Sequence, residues 1–113
     1  MIKVYGIKNC DSVKKALSFF KKYDIAFELI DFKTTPVGCE KISLWLEKTD
    51  IKTLFNTRST TYRNLKLKEL NLDDMGKKEW LCKENLLIKR PVVEYDDALL
   101  VGFNEEIYQR SFL

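Results

Sequence analysis

The sequence predicts an α/β domain with a helical insertion. Three observations carry this. The chain starts with a β-α-β order, it continues as a run of helical patterns, and it ends with a strand pair and a last helix. Its 113 residues suit one domain with a real core. Hydrophobic residues at 45% and charged residues at 33% are the mixture of an ordinary globular protein.

Ile2 to Tyr5 is a short apolar run and reads as a buried strand. Gly6 to Asn9 turn the chain. From Ser12 the spacing becomes helical, with Val13, Ala16, Leu17 and Phe20 on one face, until Tyr23-Asp24 closes the helix. Ile25 to Asp31 is rich in β-branched and aromatic residues and reads as the second strand. Strand, helix and strand make a βαβ unit, which implies parallel pairing. Lys33 to Gly38 is a turn segment. Ile42, Trp45 and Leu46 stripe a helix that ends near Thr49-Asp50, and Ile51, Leu54 and Phe55 continue in a short one. Asn56 to Thr61 is a hydroxyl-rich loop able to cap the next helix. Tyr62 to Leu70 is amphipathic and crowded with lysine. A further helix opens at Leu72 to Met75, with Trp80, Leu81, Cys82 and Leu86 inward. This helical block spans about 36–87 and reads as an insertion in a single domain, because no linker composition flanks it. Pro91 to Tyr95 returns to strand, Pro91 at its first residue because proline has no donor for the ladder. Asp96-Asp97 turns the chain into Ala98 to Gly102. Asn104 caps a last helix with Ile107 and Phe112 inward.

Cys10 lies where the first strand has ended and the first helix begins. Unpaired backbone N–H groups and the helix dipole concentrate positive charge there, and Lys8 and Lys14 flank it. Such a setting favours the thiolate, the nucleophilic form of cysteine. There are no histidines, so a Cys–His hydrolase and a histidine-rich metal site are excluded, and no metal site is expected. The three cysteines Cys10, Cys39 and Cys82 are widely spaced and form no C-x-x-C. Free thiols in a reducing cytoplasm are expected, with Cys39 and Cys82 unreactive. A net charge of +3 is too small to argue for direct nucleic-acid binding. No signal peptide and no membrane span is expected. Arg63 and Arg110 read as surface cations, and Trp45 and Trp80 as core or helix-packing residues.

The element order is the thioredoxin-like topology with extra helices between its halves. Four blocks resemble the arsenate reductase-like proteins, the ArsC/Spx family: Tyr5 to Ala16, Asn56 to Arg63, Ile88 to Val93, and Leu100 to Phe103. The last is closest to the YffB branch. The resemblance covers essentially the whole chain. It implies that Cys10 is the single catalytic cysteine, with Asn9 beside it. It implies that Arg58 and Arg90, with Lys14, line an anion site, where planar guanidinium donors suit an oxyanion or a carboxylate. It also implies that Pro91 is the proline beside the active cysteine, cis in thioredoxin folds. In the family's glutathione-dependent reductases the thiolate attacks arsenate, glutathione resolves the adduct, and glutaredoxin reduces the mixed disulfide. A lone thiolate needs such an external thiol unless Cys39 or Cys82 reaches it.

Three departures bear on the substrate. Leu100 to Asn104 lacks the further arginine of the arsenate reductases, Lys14 stands where they have arginine, and Asp11-Ser12 replaces their Gly-Thr. Fewer cations and one added negative charge weaken oxyanion binding. The expected function is therefore a glutathione-dependent thiol reductase, a monomer with no bound cofactor. The alternatives are arsenate reductase proper and an Spx-like regulator that binds the RNA polymerase alpha subunit. Spx-type relatives carry a C-x-x-C in the opening loop, and here its second cysteine position is Val13.

Overall fold

Strand β1 (Ile2–Gly6) is the hub of a four-stranded sheet in the computed structural model, which describes residues 1–113. The sheet order is β2-β1-β3-β4, where β2 is Phe27–Asp31, β3 is Val92–Tyr95 and β4 is Ala98–Val101. β1 pairs in parallel with β2, from Ile2 opposite Phe27 to Gly6 opposite Asp31. It pairs antiparallel with β3, Tyr5 opposite Val92 and Lys3 opposite Glu94. β4 is the second arm of a hairpin, with Asp96 in the left-handed region at the turn. This is the thioredoxin-like fold that the element order predicts. No helix is long and apolar enough to cross a membrane.

The chain divides into two compact units. The first is Met1–Lys33 with Arg90–Leu113, and the second is Thr34–Lys89. In the first unit, α1 (Asp11–Lys22) and α6 (Glu105–Phe112) supply the aromatic half of the core. Val4, Ala16, Phe19, Phe20, Val93 and Tyr108 form its buried centre. The rings meet edge to face: Phe19 and Tyr108 have centroids 5.5 Å apart, Phe20 and Phe112 5.1 Å apart. The Tyr108 hydroxyl donates to the Gly102 carbonyl at 2.9 Å, so the one polar atom of this ring is satisfied. Gly6 marks a close approach. A Cβ built there would lie 2.6 Å from a methyl of the fully buried Val13.

The second unit is built from α2 (Cys39–Leu46), α3 (Ile51–Leu54), α4 (Thr60–Asn64) and α5 (Asp74–Lys83). α2 packs against α5, burying Ile42, Trp45 and Leu81. Side-chain oxygens cap three of its helices. Asp50 accepts from Thr53 N–H at 2.6 Å, Ser59 from Tyr62 N–H at 3.0 Å, and Asp73 from Gly76 N–H at 2.8 Å. The hydrogen bond from the Thr53 hydroxyl, followed by that from its backbone, holds the Asp50 carboxyl below its usual range.

The structure corrects several expectations. Cys39 and Cys82 are not free thiols but are joined in a disulfide. Nothing in the residue pattern signals it, because the partners are 43 residues apart and a third cysteine makes the pairing ambiguous. β2 starts at Phe27, because Asp24 ends α1 in the left-handed region and Ile25 N–H bonds back to the Phe20 carbonyl. Tyr62 to Leu70 is not one helix. α4 stops at Asn64, Lys66 is left-handed, and Leu67–Leu70 is a 3-10 turn. The apolar residues Leu65, Leu67 and Leu70 do not share a helical face, and only Leu67 is buried. In α6 the inward residue is Tyr108, while Ile107 is 42% exposed. The Asn104 cap sets the phase, putting Tyr108 and Phe112 one turn apart on the core side. Trp80 is only half-buried, with the Lys83 Nζ 5.4 Å from its ring centroid.

Gly6→Ala is expected to lower stability by about 1–3 kcal/mol, because Val13 is packed on all sides and must move. Urea midpoints of the two proteins check this. Burial pushes the Tyr108 hydroxyl well above its usual value. Burial and the adjacent Glu94, to whose Oε1 the Tyr5 hydroxyl donates at 3.0 Å, do the same for Tyr5. The folded state thus holds these protons more tightly than the unfolded chain. Their contribution is complete below about pH 10, the unfolded tyrosine value, and is lost as pH rises beyond it. Urea midpoints are expected to fall above that pH, and to fall less steeply in Tyr108→Phe.

Candidate functional site

The first unit gathers its candidate residues at one end of the sheet. β1 runs toward Gly6, and the loop from Ile7 to Asn9 leaves from that end and delivers Cys10 to the start of α1. β3 runs the other way. Because Val92 pairs with Tyr5, Arg90 and Pro91 lie at the carboxyl end of β1, the same end from which the Cys10 loop departs. The Arg90–Pro91 peptide bond is cis. Gly102 N–H donates to the Pro91 carbonyl at 2.8 Å, so the residue that follows β4 holds Pro91 in place. Phe32 N–H donates to the Gly6 carbonyl at 2.8 Å and extends the pairing of β1 with the β2 segment to that end.

Cys10 is the N-cap residue of α1, with an extended backbone, and its thiol makes no capping hydrogen bond. Its carbonyl accepts from Lys14 N–H at 2.9 Å, the first bond of the helix. The thiol is free and half-buried, the state a nucleophile needs for both access and fixed position. Gly6 decides where the loop begins, because its lack of a side chain lets the end of β1 press onto Val13 in the first turn of α1. Sequence reasoning missed this role. A lone glycine at the end of an apolar strand signals close approach and could have revealed it.

The other candidate residues differ in exposure. Asn9 and Lys14 are exposed, Arg90 is half-buried with its Nε out of contact with solvent, and Pro91 is buried. Lys14 also lines a groove of about 490 Å³ along α1, with Lys15, Lys22, Phe103 and Glu105. Arg58 belongs to the second unit. It is exposed there, its backbone N–H donating to the Asn56 Oδ1 at 3.0 Å, immediately before the buried Ser59 that caps α4. Arg110 pairs with Glu106 one turn away on the surface of α6, as its reading as a surface cation expects.

A free thiol at a helix start, at the sheet end that also carries a cis-proline and an arginine, is of the kind that attacks an electrophilic sulfur or oxyanion. The chain is similar to several known proteins. A protein of Haemophilus influenzae, itself uncharacterised, is 40% identical over 113 residues and covers 99% of both chains. A global transcriptional regulator Spx of Lactiplantibacillus plantarum is 28% identical over 97% of this chain and 85% of its own. The solved structure of a YffB protein superposes with a TM-score of 0.92, at 30% identity and over the full length of both chains. The ArsC family model matches residues 5–111, from the last residues of β1 into α6, and the chain belongs to the ArsC family.

Proposed function

We propose that the chain is a thiol-dependent reductase in which Cys10 is the nucleophile and glutathione the co-substrate. The observation that carries this reading is the position of Cys10. It is a free, half-buried thiol at the start of α1, at the sheet end that also holds Arg90 and the cis Pro91. The Cys10 thiolate attacks one sulfur of a disulfide substrate and the S–S bond breaks. The other sulfur leaves as a thiolate that takes a proton from water, and Cys10 holds the first in a mixed disulfide. A glutathione thiolate then displaces the reduced substrate and leaves Cys10 in a mixed disulfide with glutathione. A further thiol, from glutaredoxin or a second glutathione, releases Cys10. One thiol from the protein and one from glutathione thus supply the two electrons. Arg90 and Lys14 bind the anionic groups of substrate or glutathione. Asn9 and Pro91 shape the loop around the thiol. The lysine at position 14 and the arginine-free segment from Leu100 to Asn104 favour a disulfide substrate over arsenate. A reducing cytoplasm and a monomeric state are the setting in which this chemistry runs.

The likeness to an Spx regulator favours one second reading, a transcriptional regulator that binds the RNA polymerase alpha subunit. Val13 weighs against a thiol switch of the C-x-x-C kind, because that position is filled by a fully buried core residue packed on Gly6.

A coupled assay with NADPH, glutathione reductase, glutathione and a disulfide substrate, run without glutaredoxin and with the protein-free rate subtracted, separates these readings. Wild-type protein is expected to turn over, Cys10→Ser to lose all turnover, and Arg90→Ala to raise KM by about tenfold, the loss of one charge-assisted contact. Full activity in Cys10→Ser overturns the reductase reading. Capture of the polymerase alpha subunit, unimpaired in Cys10→Ser, supports the regulator instead.

A further inference from the structure

We propose that Cys39 and Cys82 form a second redox centre, a dithiol–disulfide pair in the helical unit that small thiols open and small disulfides close. Cys39 is the first residue of α2 and Cys82 lies in the last turn of α5. Their Cα atoms are 5.0 Å apart, within the span that bonded cysteines need, and the bond links segments 43 residues apart.

A second observation makes this more than a crosslink. Asn85, three residues after Cys82, is buried and holds Val37, two residues before Cys39, by both faces of its side-chain amide. Val37 N–H donates to the Asn85 Oδ1 at 2.6 Å, and the Asn85 Nδ2 donates to the Val37 carbonyl at 3.1 Å. The same Nδ2 donates to the Leu81 carbonyl at 3.0 Å, one residue before Cys82. None of these bonds involves sulfur, so reduction leaves all of them in place. Asn85 therefore keeps the two thiols opposed after the disulfide opens, and re-closing does not begin from a separated pair. The packing of α2 on α5 acts in the same direction.

Exposure gives the pair a direction. Cys39 is the more exposed residue and Cys82 is half-buried, so attack by an external thiolate is assigned to the Cys39 side. A monothiolate of the glutathione class attacks Cys39 Sγ, the S–S bond breaks, and Cys82 leaves as a thiolate that takes a proton from water. A second monothiolate attacks the small-molecule sulfur of the mixed disulfide and frees Cys39. Two monothiols become one small disulfide, and two electrons pass to the protein pair. Closing is the reverse, with a small disulfide as oxidant. The cycle does not involve Cys10.

The test uses the full chain carrying Cys10→Ser, so that only the pair reports. The protein is equilibrated from both the oxidised and the reduced side in mixtures of glutathione and glutathione disulfide. It is then quenched by alkylation and weighed intact. One reversible transition between a dithiol and an intramolecular disulfide is expected, at the same ratio from either side. The disulfide form is expected to melt higher by at least about 5 °C. Asn85→Ala is expected to slow closing by about tenfold or more. Asn85→Asp, which keeps the acceptor and loses the donor, replaces it if the alanine variant does not fold. Free thiols at every ratio, separate glutathione adducts on the two sulfurs, or a bond that excess glutathione never opens would each overturn the proposal. An unchanged closing rate in the folded Asn85 variant removes Asn85 from it.

Discussion

The antiparallel pairing of β1 with β3 is the constraint on which the first unit depends. It joins residues almost a chain length apart: the Tyr5 hydroxyl reaches Glu94 across it, 89 positions away. Local propensity cannot produce such a pairing, and its loop-closure entropy must be overcome by burial. Val4 and Val93, directly opposite one another and fully buried, supply that burial together with the aromatic residues of α1 and α6. This register then places the candidate residues. Val92 opposite Tyr5 fixes Arg90 and Pro91 at the end of β1. Gly6, one residue after Tyr5, admits Val13 and so fixes the start of α1. The thiol and the cis-proline share an end of the sheet because one register holds both.

Much of this was legible in the sequence because it is written in local patterns. The alternation of strand and helix periods marked the βαβ start and the closing hairpin, and Asn104 announced the cap of α6. Cys10 was legible because a strand end followed by a helix start is a local event. Arg90 and Pro91 were not legible from composition or spacing. They became candidates only through resemblance, since nothing near position 90 records what lies at position 10.

Each feature that failed to show had a physical reason. In α6 Phe112 packs on the core as expected but Ile107 does not, because Ile107 and Tyr108 are both apolar enough to face inward and the start that Asn104 sets puts Tyr108 on the core side. The lysine-rich segment after Tyr62 resembled a helix in composition, but Lys66 takes a left-handed backbone that no sequence rule assigns to lysine. Asn85 was invisible because a buried amide that ties its segment to Val37 leaves no periodic trace. The disulfide was invisible for the same reason, its two halves belonging to different helices.

The disulfide also sharpens the reading of Cys10. A reductase with one nucleophilic thiol holds only one of the two thiol equivalents that each turnover consumes. A second cysteine in the same chain is the usual internal source of the other. While Cys39 and Cys82 are bonded to each other, neither sulfur is a thiol, and neither resolves an adduct on Cys10. Under the proposed reductase mechanism the second equivalent then comes from outside the protein, the role that the proposal gives to glutathione. Electron count alone requires this, whatever the placement of one unit against the other. The dependence on an external thiol is thereby tied to the state of the pair: with the pair oxidised, the dependence is complete.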